Sequence, residues 1–234
     1  MPAPVRFAVV GEGRDEHGLC GAGPNLHALP QDALRGVIVT LVHRLLSEWF
    51  DRRGEAVCWL LEPSRSSGGK PIPPGGPPET LVSENRLPRL LDRLLNPIRT
   101  TGSQLLPADF VVLCVDDEHR DGFGRTISRL RPDLRQRAIP VVFEPEMEIL
   151  LVQCKEPLEQ AVGIPLCTSI PPCKDGDLKD CLKQWLRNHA PGHTLDAKLR
   201  QTIASYVSLD RSAALCGIRA WVQLTEGVIR AVNG

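Results

Sequence analysis

The feature that most constrains this chain is a short apolar run that leads directly into three acids. Residues 110–115 are Phe-Val-Val-Leu-Cys-Val, and Asp116, Asp117 and Glu118 follow without a break. A run this short and rich in β-branched residues is typical of a strand buried on both faces, as in a parallel sheet. Ligands of open α/β sheets collect outside the carboxyl ends of such strands, which is where the three acids would lie.

Strand-like and helical patterns alternate along the first two thirds of the chain. Apolar runs at 5–10, 56–61 and 138–143 predict three further strands. Apolar residues at helical spacing predict helices at 30–53, 83–96, 124–137 with a break at Pro132, and 147–154. The alternation predicts an α/β fold with a parallel four-stranded sheet flanked by helices in residues 1–163.

Two segments depart from this alternation. Residues 62–78 are almost entirely Pro, Gly and Ser, which predicts a mobile surface loop. Residues 164–234 contain three helical patterns near 177–188, 195–208 and 219–232 and form a helical C-terminal extension. This extension is expected either to cover one side of the sheet or to form a small subdomain.

Composition limits the class of protein. Lys+Arg and Asp+Glu number 28 each, so the formal net charge is zero, which argues against binding nucleic acid through a global positive field. No apolar run is long enough to cross a bilayer, and the first residues do not resemble a signal peptide. The eight scattered cysteines fit reduced, buried thiols better than a disulfide framework, so we expect a cytoplasmic protein without membrane contact.

The predicted first strand also ends in acids, within the segment Gly11-Glu12-Gly13-Arg14-Asp15-Glu16. The glycines resemble part of a dinucleotide-binding fingerprint, but Glu16 replaces the third glycine and would repel a pyrophosphate. A nucleotide-binding Rossmann protein is therefore disfavoured. The alternative is that Glu12 faces the acids at 116–118 across the sheet and shares metal ions with them.

Three motifs together resemble a known family. They are Glu12-Gly13-Arg14-Asp15-Glu16, the run from Val115 to Glu118, and the segment from Glu146 to Leu151. Their order and spacing are similar to those of the Toprim domain found in topoisomerases, primases and OLD-family nucleases. More specifically, the chain resembles a family of uncharacterised bacterial Toprim-like proteins. The resemblance covers roughly residues 5–155 and implies a Toprim-like fold.

The resemblance implies a catalytic metal site. Asp116 and Glu118 would bind Mg²⁺ or Mn²⁺ through hard oxygen atoms, and Glu12 would bind a second ion or act as general base. Alternate residues of a strand point the same way, which favours Glu118 over Asp117 as the second ligand. Glu16 and Glu148 are further candidate ligands. A carboxylate that stabilises a helix N-terminus is the alternative for Glu148.

Arginines after the acidic run suggest a contact surface for nucleic acid. Residues 120–137 hold a local excess of four positive charges, and Arg125 and Arg129 lie one helical turn apart. With Arg14 and Arg120, these side chains are the candidate phosphate contacts, and a solvated helix face is the alternative.

Histidines and cysteines give weaker signals. The set Cys173, Cys181, His189 and His193 is disfavoured as a zinc site, because Cys181 falls on the apolar face of its predicted helix. His17 and His119 lie beside the acidic clusters. For both, a partly exposed position in a loop is favoured over a role in binding a metal ion or orienting a water.

The sequence thus predicts a Mg²⁺- or Mn²⁺-dependent nuclease that hydrolyses phosphodiesters of DNA or RNA. By resemblance, the setting is antiviral defence beside an ATPase or another defence-system protein, and a homo-oligomer is left open. The alternative from a different class is a non-catalytic Toprim-like partner subunit of a defence or nucleic-acid-processing complex.

Overall fold

The computed structural model describes residues 5–11, 36–50, 55–58, 77–96, 107–152, 155–165, 177–210 and 214–234. Several predictions fall outside these ranges. They are the start of the first helix before residue 36, most of the loop at 62–78, and the candidate site residues Glu12, Arg14 and Glu16.

The described residues form four strands and ten α-helices. The strands are β1 (Arg6–Val10), β2 (Glu55–Cys58), β3 (Phe110–Asp116) and β4 (Ala138–Phe143). The helices before β4 are α1 (Val37–Phe50), α2 (Pro77–Leu81), α3 (Arg86–Leu95), α4 (Arg120–Ser128) and α5 (Pro132–Arg137). Those after it are α6 (Ile149–Val152), α7 (Lys155–Val162), α8 (Leu178–His189), α9 (Ala197–Tyr206) and α10 (Arg219–Asn233).

The four strands form one parallel sheet in the order β2-β1-β3-β4. Val10 of β1 pairs with Leu113 of β3, and Asp116 of β3 pairs with Phe143 of β4. The predicted α/β class with a parallel sheet flanked by helices is confirmed. Because β3 lies between two neighbours and is covered on both faces, its residues 111–115 are all buried, as its uniformly apolar sequence predicts.

Alternate residues of the strands enter two separate cores. Val9, Val112 and Val141 pack on one face with α1, α6 and the C-terminal helices α8, α9 and α10. On the other face, Val10 and Leu113 pack against α2, α3, α4 and α5. The helices after residue 163 therefore share a core with the sheet, and they cover one side of it.

The outer strand β4 is covered by α10. Its Val142 N–H donates to the side-chain oxygen of Gln223 on α10 at 2.9 Å, which satisfies a donor that would otherwise face away from the sheet. Pro140, which has no N–H, is tolerated because β4 is an edge strand of the described sheet. Gly227 of α10 brings the two elements into close contact at Ile139.

Helix boundaries differ from the prediction at several points. α2 begins at Pro77, inside the segment predicted as loop, because proline is tolerated in a first helical turn. The helix predicted from Gly124 begins at Arg120, and Gly122 and Gly124 obscured this start. Pro132 begins a separate helix, as predicted, whereas α7 was not predicted.

Gly227→Ala should destabilise the protein by about 1–3 kcal/mol through overpacking. A Cβ at position 227 would lie 2.2 Å from Cγ2 of the buried Ile139, so α10 or the Ile139 side chain would have to shift. Urea unfolding would measure the change. In the matched variant Gly124→Ala, a Cβ has no neighbour within 4 Å, so we expect a gain of roughly 0.5–1 kcal/mol. Equal effects at the two positions would contradict this packing argument.

Candidate functional site

The acids after β3 lie at the point where the direction of strand order reverses. The order β2-β1-β3-β4 places this topological switch between β1 and β3. Crevices for ligands form outside the carboxyl ends of the strands at such a switch. β3 supplies Asp116 there, and Glu12 follows the last residue of β1 by two positions but lies outside the described residues.

The extended backbone of β3 ends at Asp116. This residue is partly buried, and residues 117–119 form a 3₁₀ turn in which the Asp117 and Glu118 side chains are 49% and 75% exposed. The premise that strand alternation aligns Glu118 with Asp116 is therefore wrong, because a 3₁₀ turn does not alternate faces. His119 is partly buried, and its Nδ1 lies 3.5 Å from the Glu118 carboxylate.

Arg120 links the ends of β3 and β4. Its Nε lies 2.9 Å from Asp117 Oδ1, and its Nη2 forms an ion pair with Glu144, which directly follows β4. Arg219 approaches Glu144 at 3.5 Å, and the Asp117 N–H donates to the Pro145 carbonyl at 3.2 Å. Arg120, predicted as a phosphate contact, thus binds two acids of the candidate site.

A cleft opens beside this bridge. It has a volume of about 320 Å³ and lies between Glu144, Ile149 and the start of α10 at residues 217–220. The cleft gives the carboxyl edge of β4 a concave surface, and both signs of charge line it through Glu144 and Arg219.

Glu148 has a different partner from the predicted metal ion. Its side chain and that of Arg200 on α9 are 5% and 4% exposed, and they form an ion pair at 2.9 Å. Arg200 also donates to the Leu195 carbonyl at 3.2 Å. A buried carboxylate needs a compensating cation, and this arginine supplies it. Arg200 is the sequence feature that could have indicated a buried ion pair, because it is a charged residue among the apolar positions of α9.

Glu146 forms a second acidic contact nearby. Burial first, then the charges of Asp177 and Glu148, raise its pKa from 4.5 to about 7. A hydrogen bond with Asp177 also favours the protonated form of Glu146. Asp177 caps α8 by accepting from the Asp180 N–H at 3.2 Å. The turn after β4 is thus joined to the start of α8 through the contact of Glu146 with Asp177.

The arginine-rich face is largely neutralised by the protein's own acids. Arg129 pairs with Glu84, and Arg131 lies 2.8 Å from Asp92. Of the predicted nucleic-acid contacts that the structure describes, Arg125 alone has no hydrogen-bond or ion-pair partner among the described residues. The excess of four charges counted along the sequence is therefore much smaller on the folded surface.

The described residues contain no group of three or more His, Cys, Asp or Glu side chains placed to hold a metal ion. His189 stacks on Trp185 with ring centroids 4.9 Å apart, so it is not directed to a shared site with His193. Cys181 is disulfide-bonded. The expectation that the cysteines are reduced is wrong at this position, and the inference of a reducing compartment loses that support.

Comparison with protein-family models, with curated proteins and with solved structures finds no match to this chain. Within the described ranges, no helix combines the length and the apolar character that a membrane crossing needs.

Glu148→Leu should destabilise the protein by about 3–5 kcal/mol, because it leaves the Arg200 charge buried without a partner. Chemical unfolding of the variant would measure this change. The double variant Glu148→Leu/Arg200→Met removes both charges, and we expect it to be more stable than Glu148→Leu. A double variant no more stable than Glu148→Leu would contradict the argument that the unpaired Arg200 charge causes the loss.

Glu146 should make stability depend on pH between about 4.5 and about 7. In this window the folded state keeps a proton that the unfolded state has released, so the free energy of unfolding falls as pH rises and levels off above it. The step should be on the order of 1 kcal/mol, because the side chain is only partly shielded from water. Unfolding curves across this range should show the step in the wild type and in Glu226→Gln, an exposed control on α10, but not in Glu146→Gln.

Proposed function

We propose that the protein is a Mg²⁺- or Mn²⁺-dependent phosphodiesterase with a Toprim-like fold that acts on nucleic acid. The observation that carries this proposal is the position of Asp116 at the carboxyl end of β3, beside the switch between β1 and β3. Carboxylates in this position are the hard oxygen donors that Mg²⁺ prefers.

Asp116, the two acids of the turn that follows it and Glu12 are donors of the type that fits such an ion. Mg²⁺ is commonly held by one or two carboxylates, with waters and substrate phosphates completing the shell. Asp116 supplies one carboxylate from a rigid strand, and Glu118 or Asp117 supplies another from the 3₁₀ turn. Glu12, from the segment after β1, is proposed as the ligand of a second ion or as general base. The bound ion would neutralise a substrate phosphate and activate water.

Arg120 does not prevent this role. Its pairs with Asp117 and Glu144 are partly exposed, with side-chain exposures of 37%, 49% and 41%. The Nε and Nη2 atoms that contact these acids are themselves buried, so a divalent cation or a phosphate would take the place of Arg120 only if its side chain moves outward. Its guanidinium would then contact the substrate.

Glu148 and Arg129 have ion-pair partners within the protein. Glu148 is excluded from the proposed ligand set because its charge is compensated by Arg200 in the core. Arg125 is retained as a phosphate contact, whereas Arg129 is engaged by Glu84. Arg14 and Glu16 stay in the proposal as residues of the segment that follows β1.

Asp116→Asn should weaken Mn²⁺ binding by at least tenfold and abolish Mn²⁺-dependent cleavage, because it removes the rigid carboxylate of the site. Calorimetric titration with Mn²⁺ and an assay with single- and double-stranded DNA and RNA would measure both. Asp133→Asn is the matched control, since Asp133 is an exposed acid of α5 that lies outside the proposed site. Unchanged Mn²⁺ affinity in Asp116→Asn would contradict the proposal.

A second candidate is a non-catalytic Toprim-like subunit of a defence or nucleic-acid-processing complex, acting beside an ATPase or another protein. The bridge from Arg120 to Asp117 and Glu144 favours it, because an internal cation there does part of what a metal ion would do. Wild-type protein that cleaves no nucleic acid with Mn²⁺, although Asp116→Asn alters assembly with a partner, would support this candidate over the enzyme.

A further inference from the structure

A small polar cleft lies at the turn between α8 and α9. Its volume is about 200 Å³, and it is lined by Lys183, Arg187, His193, Thr194 and Leu195. Four of these five side chains donate hydrogen bonds, and none is acidic. The α8–α9 cleft is thus a concave surface built mainly from donors.

The fold brings these donors together from two directions. Lys183 and Arg187 lie one turn apart on α8, so their side chains project from the same face. The chain then reverses at Gly192, whose φ of +100° falls in the region that favours glycine. This reversal places His193 and Thr194 against the cleft, opposite the two cations of the helix.

Most of these side chains donate no hydrogen bond to another described residue of the protein. Among the described residues, the side chains of Arg187, His193 and Thr194 have no hydrogen-bond or ion-pair partner. Lys183 contacts Asp180 at 2.7 Å, but both groups are exposed and such a pair contributes little. Asp180 thus offsets part of the charge of Lys183 and also interacts electrostatically with Arg187, while the donors of Arg187, His193 and Thr194 stay available to a ligand within the described part of the chain.

We propose that the α8–α9 cleft binds a phosphoryl group. Arg187 would contact two oxygens through its planar guanidinium, with Lys183 beside it on α8, while Thr194 and His193 would reach the remaining oxygens from the other side. The cavity is smaller than the roughly 300–1,000 Å³ of drug-sized pockets, so it fits a phosphate group rather than a whole nucleotide. The phosphate would belong to a small phosphomonoester or to a nucleic-acid backbone.

The two histidines of the disfavoured zinc site, His189 and His193, have different surroundings in the structure. His189 is stacked on Trp185, and its Nδ1 lies 3.1 Å from the Trp185 carbonyl. His193 instead lines the cleft with Arg187, a cation that would repel a metal ion. The nearby charges thus favour an anion at His193 over zinc.

Binding of inorganic phosphate, followed by calorimetry or by chemical-shift changes of the intact protein, tests the proposal. We expect saturable binding that weakens at least tenfold in Arg187→Gln and that falls in Thr194→Val. Arg230→Gln, which removes an exposed arginine of α10, should bind phosphate as the wild type does. Circular dichroism would confirm that each variant is folded. Absence of saturable binding, or equal binding by Arg187→Gln and Arg230→Gln, would overturn the proposal.

Two further probes separate the sources of the phosphate. A mononucleotide with a terminal phosphate should compete with inorganic phosphate if the ligand is a phosphomonoester. A single-stranded oligonucleotide without terminal phosphates should compete if the ligand is a nucleic-acid backbone. Because the cleft shares no residue with the carboxyl edge of β3, Asp116→Asn should leave phosphate binding unchanged. Failure of the metal proposal and failure of this one are therefore distinguishable.

Discussion

Burial of β3 on both faces is the constraint on which the rest of the structure depends. A strand whose residues are all apolar gains stability only if helices cover it above and below. The chain meets this requirement with α2, α3, α4 and α5 on one face and with α1 and the C-terminal helices on the other. Because the strand is held so firmly, its last residue, Asp116, stands at a rigid position of the carboxyl edge.

The negative charges of the acids at the carboxyl edge of the sheet are offset within the protein itself. Acids follow β3 and β4, and repulsion between them is reduced in three different ways. Arg120 bridges two partly exposed acids, Arg200 compensates a buried one, and Glu146 keeps a proton up to about pH 7. Of the three, the Arg120 bridge involves the most exposed acids, which a metal ion or a phosphate could reach from solvent.

Local sequence patterns predicted the strands and helices more accurately than they predicted which charged residues contact one another. The apolar runs marked β1, β3 and β4, and Pro132 marked the break between α4 and α5. The arginine face was overestimated because its compensating acids Glu84 and Asp92 lie some 40 positions earlier in the chain. The partner of Glu148 was not predicted for the same reason, since Arg200 is on α9, 52 residues later.

The α/β class, the parallel sheet and the position of Asp116 at a strand end could be predicted from the chain alone, because hydrophobic period is a local property. Which acids have an ion-pair partner within the protein depends on the folded arrangement. Ion pairs form between residues that are close in space, and spacing along the chain does not report that distance. The clustering of Arg187 and His193 at the α8–α9 cleft is likewise a product of the fold, since it depends on the chain reversal at Gly192.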